Sequence, residues 1–289
     1  MKNKKTRITK SILVEKIGIA GCGSMGLPML KTLLKNNIDA CGYDIKPKKN
    51  YIELKENFIP FKEKFCSDNK IIISVVRDIE QTEELCKGKN GLFKTKEKKI
   101  LIICSTLSPF YLKQLKLQKP NNITLIDAPI SGAPNKAKNG TLTIMVGTKK
   151  NKFNYISPLL KIIGKNIIHI GDYGSGMTVK VLNNFVAASS VLSVRHVLHE
   201  ATNLGIKPKQ LLKVLNCSSG KTWFGDNIYD IDWSAQSYNK YNTIGILEKD
   251  VLSYIDALNK SNIKLKISIK NFHRSIIKGL IKIPNFPKK

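Results

Sequence analysis

The stretch Lys16 to Asp44, KIGIAGCGSMGLPMLKTLLKNNIDACGYD, decides the reading of the fold. Ile17 to Ala20 is a short apolar run that ends in Gly21-Cys22-Gly23-Ser24-Met25-Gly26, after which Leu27, Leu30 and Leu34 recur at helical spacing. The pattern predicts a strand, a glycine-rich turn and a helix. A second apolar segment, Ala40 to Tyr43, stops at Asp44, at about the ~20-residue distance expected between such a turn and an acid that contacts a ribose. Each glycine answers a physical demand: the chain must reverse tightly, let a pyrophosphate approach the backbone, and seat the helix against the strand. The helix N-terminus, with unpaired N–H groups and the positive end of its dipole, favours the anion. With the strand before it, the helix after it and the acid at the end of the next strand, the turn is read as a dinucleotide site rather than a structural glycine turn. Its expected contacts are Gly21, Cys22, Gly23, Ser24, Met25, Gly26 and Asp44.

Asp44 bears on the cofactor. A carboxylate there accepts hydrogen bonds from the ribose hydroxyls of NAD and repels the extra phosphate of NADP, so NAD is expected. Lys46, Lys48 and Lys49, just beyond, could neutralise the acid. NADP is therefore not excluded.

The 289 residues, 42% of them hydrophobic, fit one dinucleotide-binding domain and a smaller second one. The longest apolar runs, such as Ile71 to Val76 and Ile100 to Cys104, have strand length rather than the ~20 residues of a bilayer span, so no membrane segment is expected. The opening MKNKKTRITK is basic, lacks the apolar core of a secretory signal and reads as a disordered extension. Six cysteines show no C-x-x-C pair, and most sit in apolar patterns where a reduced thiol acts as a small hydrophobe. A reducing, cytoplasmic setting follows as the expectation. The net charge of +28 raises the question of nucleic acid. The lysines are spread along the whole chain, however, without aromatic interleaving or a recognisable nucleic-acid motif, and the accompanying wealth of Ile and Asn, which share A/T-rich codons with Lys, points to genomic bias. Nonspecific, salt-sensitive attraction to polyanions is expected, specific nucleic-acid binding is not.

After Asp44, strand-like segments recur at Ile71 to Val75, Ile100 to Cys104, Ile123 to Ile126, Leu142 to Val146 and Ile167 to Ile170, with helical patterns around Glu80 to Cys86, Pro109 to Leu117 and Phe153 to Ile163. The alternation implies a mainly parallel sheet covered on both faces, with its crevice at the strands' carboxyl ends. From Gly176 to Leu204 apolar residues repeat at three and four without a breaker, one long helix, and Lys209 to Leu215, Ile246 to Leu258 and Phe272 to Ile281 are helical too. The fold class expected is thus α/β, a Rossmann-like doubly wound parallel sheet followed by an all-helical C-terminal domain. The boundaries read as a basic disordered extension (1–14), a dinucleotide-binding domain (15–174), and a long interdomain helix with a helical substrate and closure domain (175–289).

At the start of the long helix, Lys180 and Asn184 are four apart and share one face, with Asn183 beside them; taken alone this is an ordinary solvated pair. Asp127-Ala128-Pro129-Ile130-Ser131-Gly132-Ala133-Pro134 follows a strand, so Ser131 and nearby N–H groups lie where a nest for a small carboxylate could form. Otherwise it is a plain Pro/Gly turn. His196, His199 and Glu200 share a helix, but without a distant third ligand they read as a polar face, and no metal is expected. Trp223 and Trp233 read as packing residues.

Four ordered motifs resemble the β-hydroxyacid dehydrogenases, over about Lys16 to about Leu258. G-x-G-x-M-G-x-x-M matches Gly21, Gly23, Met25, Gly26 and Met29. D-A-P-V-S-G-G matches Asp127 to Gly132, and G-T-L-T-I-M-V-G matches Gly140 to Gly147. G-x-x-G-x-G-x-x-x-K-x-x-N-N matches Gly171, Gly174, Gly176, Lys180, Asn183 and Asn184. The resemblance implies that Lys180 is the general acid/base, that Asn184, with Asn183, orients the substrate, and that Ser131 and Gly132 hold its carboxylate. It implies that Lys249-Asp250 is the family's later K-D pair, closing the site over substrate and cofactor. Ser105-Thr106 then lies beside the nicotinamide, and Val75-Val76 stands in place of the family's L-P on the cofactor side. Ala133 replaces a second glycine, Asn242 stands where an aromatic is usual, and GLIKIPNFPKK does not match G-x-x-D-x-S-A.

The expected function is transfer of a hydride between NAD(H) and a small β-hydroxy acid or its semialdehyde, 3-hydroxyisobutyrate being the type. A lysine serves such chemistry when burial and neighbouring cations bring its pKa toward neutrality. The alternatives are an NADPH-dependent 2-hydroxy-3-oxopropionate (tartronate semialdehyde) or glyoxylate reductase and, from another class, a noncatalytic basic module that binds nucleic acid. The partner expected is a small carboxylate-bearing substrate, and the assembly a homo-oligomer, dimer or tetramer.

Overall fold

The computed structural model describes residues 12–261 and 263–283. The chain opens with β1 (Ile17–Ala20), α1 (Gly26–Lys35) and β2 (Ala40–Tyr43), as the glycine turn demands. A 3-10 segment (Lys48–Asn57) and α2 (Lys62–Asp68) lead to β3 (Ile71–Ser74). Then follow α3 (Ile79–Cys86), β4 (Lys99–Ile103), α4 (Pro109–Gln118) and β5 (Ile123–Asp127). β1 pairs in parallel with β2 and β3, β3 with β4, and β4 with β5, giving the order β2-β1-β3-β4-β5. Both faces are covered, so these strands are mostly apolar and sort their residues by period two. Ile17, Ile19, Ile71, Ile73, Ile100 and Ile102 enter one core layer with Met29 and Leu30. Ile72, Leu101 and Ile103 enter the other with Phe65, Leu112 and Leu115.

Past β5 the sheet departs from the parallel pattern. β6 (Ile130–Ser131), α5 (Pro134–Lys138) and β7 (Leu142–Gly147) follow directly on β5, and β7 runs antiparallel to both β5 and β6.

 The helix between β6 and β7 has five residues, and a parallel return needs a crossover of a dozen residues or more. The chain therefore comes back beside itself, which a sequence read as a mainly parallel sheet did not anticipate. α6 (Lys150–Ile163) then restores a full crossover, and β8 (Gly164–Gly171) pairs in parallel with β7.

α7 (Ser175–Asn203) is a single helix of 29 residues. It is followed by α8 (Pro208–Cys217), α9 (Trp223–Asp226), α10 (Thr243–Asn259) and α11 (Ile267–Ile281). By compactness the chain divides after Lys180 into an α/β unit and a helical unit. The helical unit has its own core, in which Ala188, Val191, Val194 and Leu198 of α7 meet Leu212, Phe224, Ile244, Val251, Ile276 and Leu280. By length and composition α7 is apolar enough to cross a bilayer, although the sequence reading expected no such segment. Its apolar stripe in the helical unit is instead packed into this core.

Ile12 is fully buried in the first core of the α/β unit, so packed structure begins before residue 15. The remainder of the extension expected over 1–14, residues 1–11, lies outside the described residues. Other elements not anticipated, the 3-10 segment and α2, carry few apolar residues among many lysines and glutamates. Only Tyr51 and Leu54 are buried in the first, Phe65 and Cys66 in the second.

The tightest joint of the first βα unit is at Gly26, where an added Cβ would overlap the carbonyl oxygen of Gly21. Gly26→Ala is expected to lower the unfolding free energy by about 1–3 kcal/mol, the usual cost of overpacking, read as a lower urea midpoint at unchanged slope.

Candidate functional site

The glycine turn is built as a cradle. Gly21 has φ +94°, and a Cβ there would lie 2.9 Å from the Val75 carbonyl group, so only glycine lets the turn pass beneath Val75-Val76. Gly23 has nothing within 4 Å of an added Cβ, which leaves its backbone open to a ligand. Met25 precedes α1 without a side-chain cap hydrogen bond, and although the Leu27 N–H is taken by the Gly23 carbonyl at 3.1 Å, the positive end of the helix dipole faces the turn and favours an anion. Ser24 is exposed on the same turn. These features fit the pyrophosphate of a dinucleotide.

Asp44, at the end of β2, is fixed from two sides. Its Oδ2 accepts the Cys22 N–H at 2.8 Å and its Oδ1 the Lys46 N–H at 2.9 Å. The buried Tyr51 ring stacks on Phe58 with centroids 4.5 Å apart. Burial, and then the neighbouring Asp44 carboxylate, push the Tyr51 phenol above its ordinary range. The Cys22 thiol is pushed up to about 12, by burial first and by Asp44 second. It is an inert packing group.

The carboxyl ends of the other strands supply the rest of the edge. Ser105, just past β4, is buried and its hydroxyl has no partner, an orphan that a ligand would satisfy. Thr106 follows it, half-buried. Ser131 pairs with Thr143 of β7, and Gly132 beside it has φ +141°, a conformation that favours glycine.

Asp127 ends β5 and is fully buried. Its Oδ1 accepts the Gly174 N–H at 2.6 Å and its Oδ2 the Met177 N–H at 2.7 Å. Burial pushes its carboxyl up to about 6, against the opposing pull of these N–H donors. Sequence reasoning quoted Asp127 only as the first residue of a loop. Three residues after Met177 stands Lys180, buried on α7.

In the helical unit Asn183, Asn184, Lys249 and Asp250 form one chain of contacts. Asn183 Nδ2 donates to Asn184 Oδ1 at 3.1 Å, and Asn184 Nδ2 donates to Asp250 Oδ2 at 2.5 Å. Lys249 Nζ lies 2.8 Å from Asp250 Oδ1. The K-D pair thus orients Asn184, a link of 66 residues along the chain that spacing alone could not reveal. His196, His199 and Glu200 are exposed on α7.

A glycine cradle with an acid at the next strand, joined in one chain to a helical unit, defines a nicotinamide-dinucleotide protein of the dehydrogenase class. Residues 16–171 match the NAD-binding domain of 6-phosphogluconate dehydrogenase. Residues 174–273 match the NAD-binding domain of NADP-dependent 3-hydroxyisobutyrate dehydrogenase. The chain belongs to the β-hydroxyacid dehydrogenase family. It is 33% identical over 214 residues to the mitochondrial 3-hydroxyisobutyrate dehydrogenase of Rattus norvegicus, a match covering 73% of this chain and 64% of that protein. It is 31% identical to the 2-(hydroxymethyl)glutarate dehydrogenase of Eubacterium barkeri, over 72% of this chain and 70% of that protein. In fold it is similar to the Mycobacterium tuberculosis 3-hydroxyisobutyrate dehydrogenase structure with L-serine, with a TM-score of 0.75 at 18% identity over 95% of this chain and 97% of that one.

Two outcomes follow from Asp44 and Asp127. Asp44→Ala is expected to raise the Kd for NAD about tenfold, or ~1.4 kcal/mol, while weakening NADP binding less, as read by NADH and NADPH fluorescence titration. Asp127 has a raised folded-state pKa, so its protonated form favours the fold: that contribution is complete below the ordinary carboxylate range and is lost as pH rises through about 6. The stability difference between wild type and Asp127→Asn is expected to shift against wild type between pH 4 and 6, measured by denaturant unfolding across that range.

Proposed function

We propose that the protein interconverts a small β-hydroxy acid and its semialdehyde with NAD(H), 3-hydroxyisobutyrate or a close analogue being the substrate class. The observation that carries the reading is Lys180, a lysine held buried just past the turn formed by Gly171, Gly174 and Gly176, in a chain of the β-hydroxyacid dehydrogenase family. The nicotinamide, when bound, accepts or gives up the hydride of the carbinol carbon.

The chain's own residues have four tasks. The Gly21–Gly26 turn and the N-terminus of α1 hold the pyrophosphate, and Asp44 holds the adenosine ribose. Ser131 and Gly132 bind the substrate carboxylate, which keeps the reacting carbon at a fixed offset from it. Lys180, in its neutral form, takes the hydroxyl proton as the C–H bond breaks during oxidation, and returns it to the oxygen during reduction. Asn184, oriented by Asp250, directs the hydroxyl or carbonyl oxygen toward that amine. The positive charge that Lys180 gains or brings also stabilises alkoxide character on the oxygen.

A second reading, an NADPH-dependent semialdehyde or glyoxylate reductase, is favoured by Lys46, Lys48 and Lys49 beside Asp44 and by the NADP-dependent enzyme that describes the second matched family. Steady-state rates with the two cofactors separate the readings. NAD(H) preferred over NADP(H) supports the first, and NADPH favoured more than about tenfold, ~1.4 kcal/mol, overturns it.

Lys180→Ala is expected to leave dinucleotide affinity nearly unchanged and to lower kcat by about 10² or more. Lys180→Arg is expected to fail as well, because a guanidinium does not release its proton near neutral pH. The check is a panel of 3-hydroxyisobutyrate, glycerate, threonate and small semialdehydes followed by NAD(P)H absorbance. More than a tenth of wild-type turnover in either variant, a deficit below ~1.4 kcal/mol, removes Lys180 from the acid/base role.

A further inference from the structure

The first four N–H groups of an α-helix have no partner within the helix and are usually met by the side chain of a local cap residue. At the start of α7 two of the N–H groups in and just before the first turn are met from a distance. Gly174 and Met177 donate to Asp127, which lies 47 and 50 residues earlier at the end of β5. The carboxylate is fully buried and forms no ion pair among the described residues. Its negative charge is balanced by backbone dipoles alone, at the positive end of the longest helix in the molecule.

The seat admits nothing larger. A Cβ on Gly147 would overlap Asp127 Oδ1, and a Cβ on Gly176 would overlap the Met145 carbonyl oxygen. A third tie fixes the same turn, because the Leu107 N–H donates to Met177 Sδ at 3.3 Å in a buried contact. The first turn of α7 is thereby fastened to β5 and to the segment that immediately follows Ser105-Thr106, and lies close against β7 at Gly176. Lys180 is three residues beyond Met177, about one helical turn at 3.6 residues per turn.

We infer that Asp127 is a positioning residue for Lys180: by clamping the first turn of α7 to the end of β5, it sets where the lysine stands relative to the strand ends that carry Ser105, Thr106 and Ser131. This rests on the acid/base reading of Lys180. The sensitivity of such a placement is steep, since displacing a reacting group by about 1 Å can cost ~10² in rate. The Asp127 carboxylate acts on the lysine through the backbone of the turn, by way of the Gly174 and Met177 N–H groups. The charged and titratable groups around it are few: the buried Tyr173 phenol, raised by burial and then by Asp127, with Lys116 Nζ 6.0 Å from the centre of that ring.

A double-mutant cycle distinguishes positioning from general support. Asp127→Asn keeps the size of the side chain but replaces one acceptor with a donor that faces N–H groups. It is expected to lower kcat about tenfold or more while leaving the Kd for NADH within about threefold. In a Lys180→Ala background the same substitution is expected to change the residual kcat by less than about twofold, because the group it positions is gone. Equal losses in both backgrounds, or a single variant with kcat within about threefold of wild type, overturn the inference. If Asp127→Asn is not recovered folded, Met177→Leu, a nearly volume-conserving change that removes the sulfur acceptor, enters the same cycle with a smaller expected loss of about threefold. Additive losses there overturn the inference too. Failure of the underlying reading is separately visible, as Lys180→Ala alone retaining wild-type turnover.

Discussion

A buried carboxylate with only backbone N–H groups to receive its charge holds the longest helix of the protein to the edge of its sheet. Asp127 could not occupy that position beside a side chain at 147, and α7 could not lie so close to Met145 with a side chain at 176, so both positions are glycines. The carboxylate could not remain ionised there without donors, so Gly174 and Met177 turn their N–H groups toward it at 2.6 and 2.7 Å. Removing one partner of a buried charged hydrogen bond costs more than the bond itself contributes, because the remaining group is left desolvated. The carboxylate, the two glycines and the turn before α7 therefore stand or fall together.

The α/β unit and α7 divide the work in chemical terms. The unit carries an open glycine turn at the start of α1 and one fixed acid, Asp44. α7 contributes side chains, with Lys180 first and Asn183 and Asn184 one turn later. In the helical unit Asp250 takes hold of Asn184 and of Lys249, so an amide that could rotate freely is held with its nitrogen on the carboxylate and its oxygen toward Asn183. Such support is what keeps a binding group in one orientation before its ligand arrives.

How far the sequence could be read depended on whether a residue's partner was local. The strand, turn and helix around Gly21 to Gly26 were legible because a glycine there has few physical reasons to be present, and the central strands because burial on both faces leaves them mostly apolar. The long helix was legible from its three-four spacing, within a residue or two of its ends. The antiparallel return through β6 and β7 was not, because two short strands flanking a five-residue helix leave no periodic signal. Asp127 was hidden because its partners are backbone groups of residues 174 and 177, which have no side-chain signature. Tyr51, behind Asp44, was hidden by the lysines and glutamates around it. Lys180 became more than a helix-face lysine only through the ordered motifs about it, and its burial was visible only in the fold.

The central claim is that this chain brings a dinucleotide held on the Gly21–Gly26 turn and a hydroxyl held by Lys180 into one reaction. It is tested most directly by a crystal structure of the protein with NAD and a non-reacting analogue of a small β-hydroxy acid. The account predicts the pyrophosphate over the glycine turn, the adenosine ribose on Asp44, and the analogue's hydroxyl within about 3 Å of Lys180 Nζ, hydrogen-bond distance. A hydroxyl bound to any other proton-carrying side chain, with Lys180 turned away from it, would contradict the account.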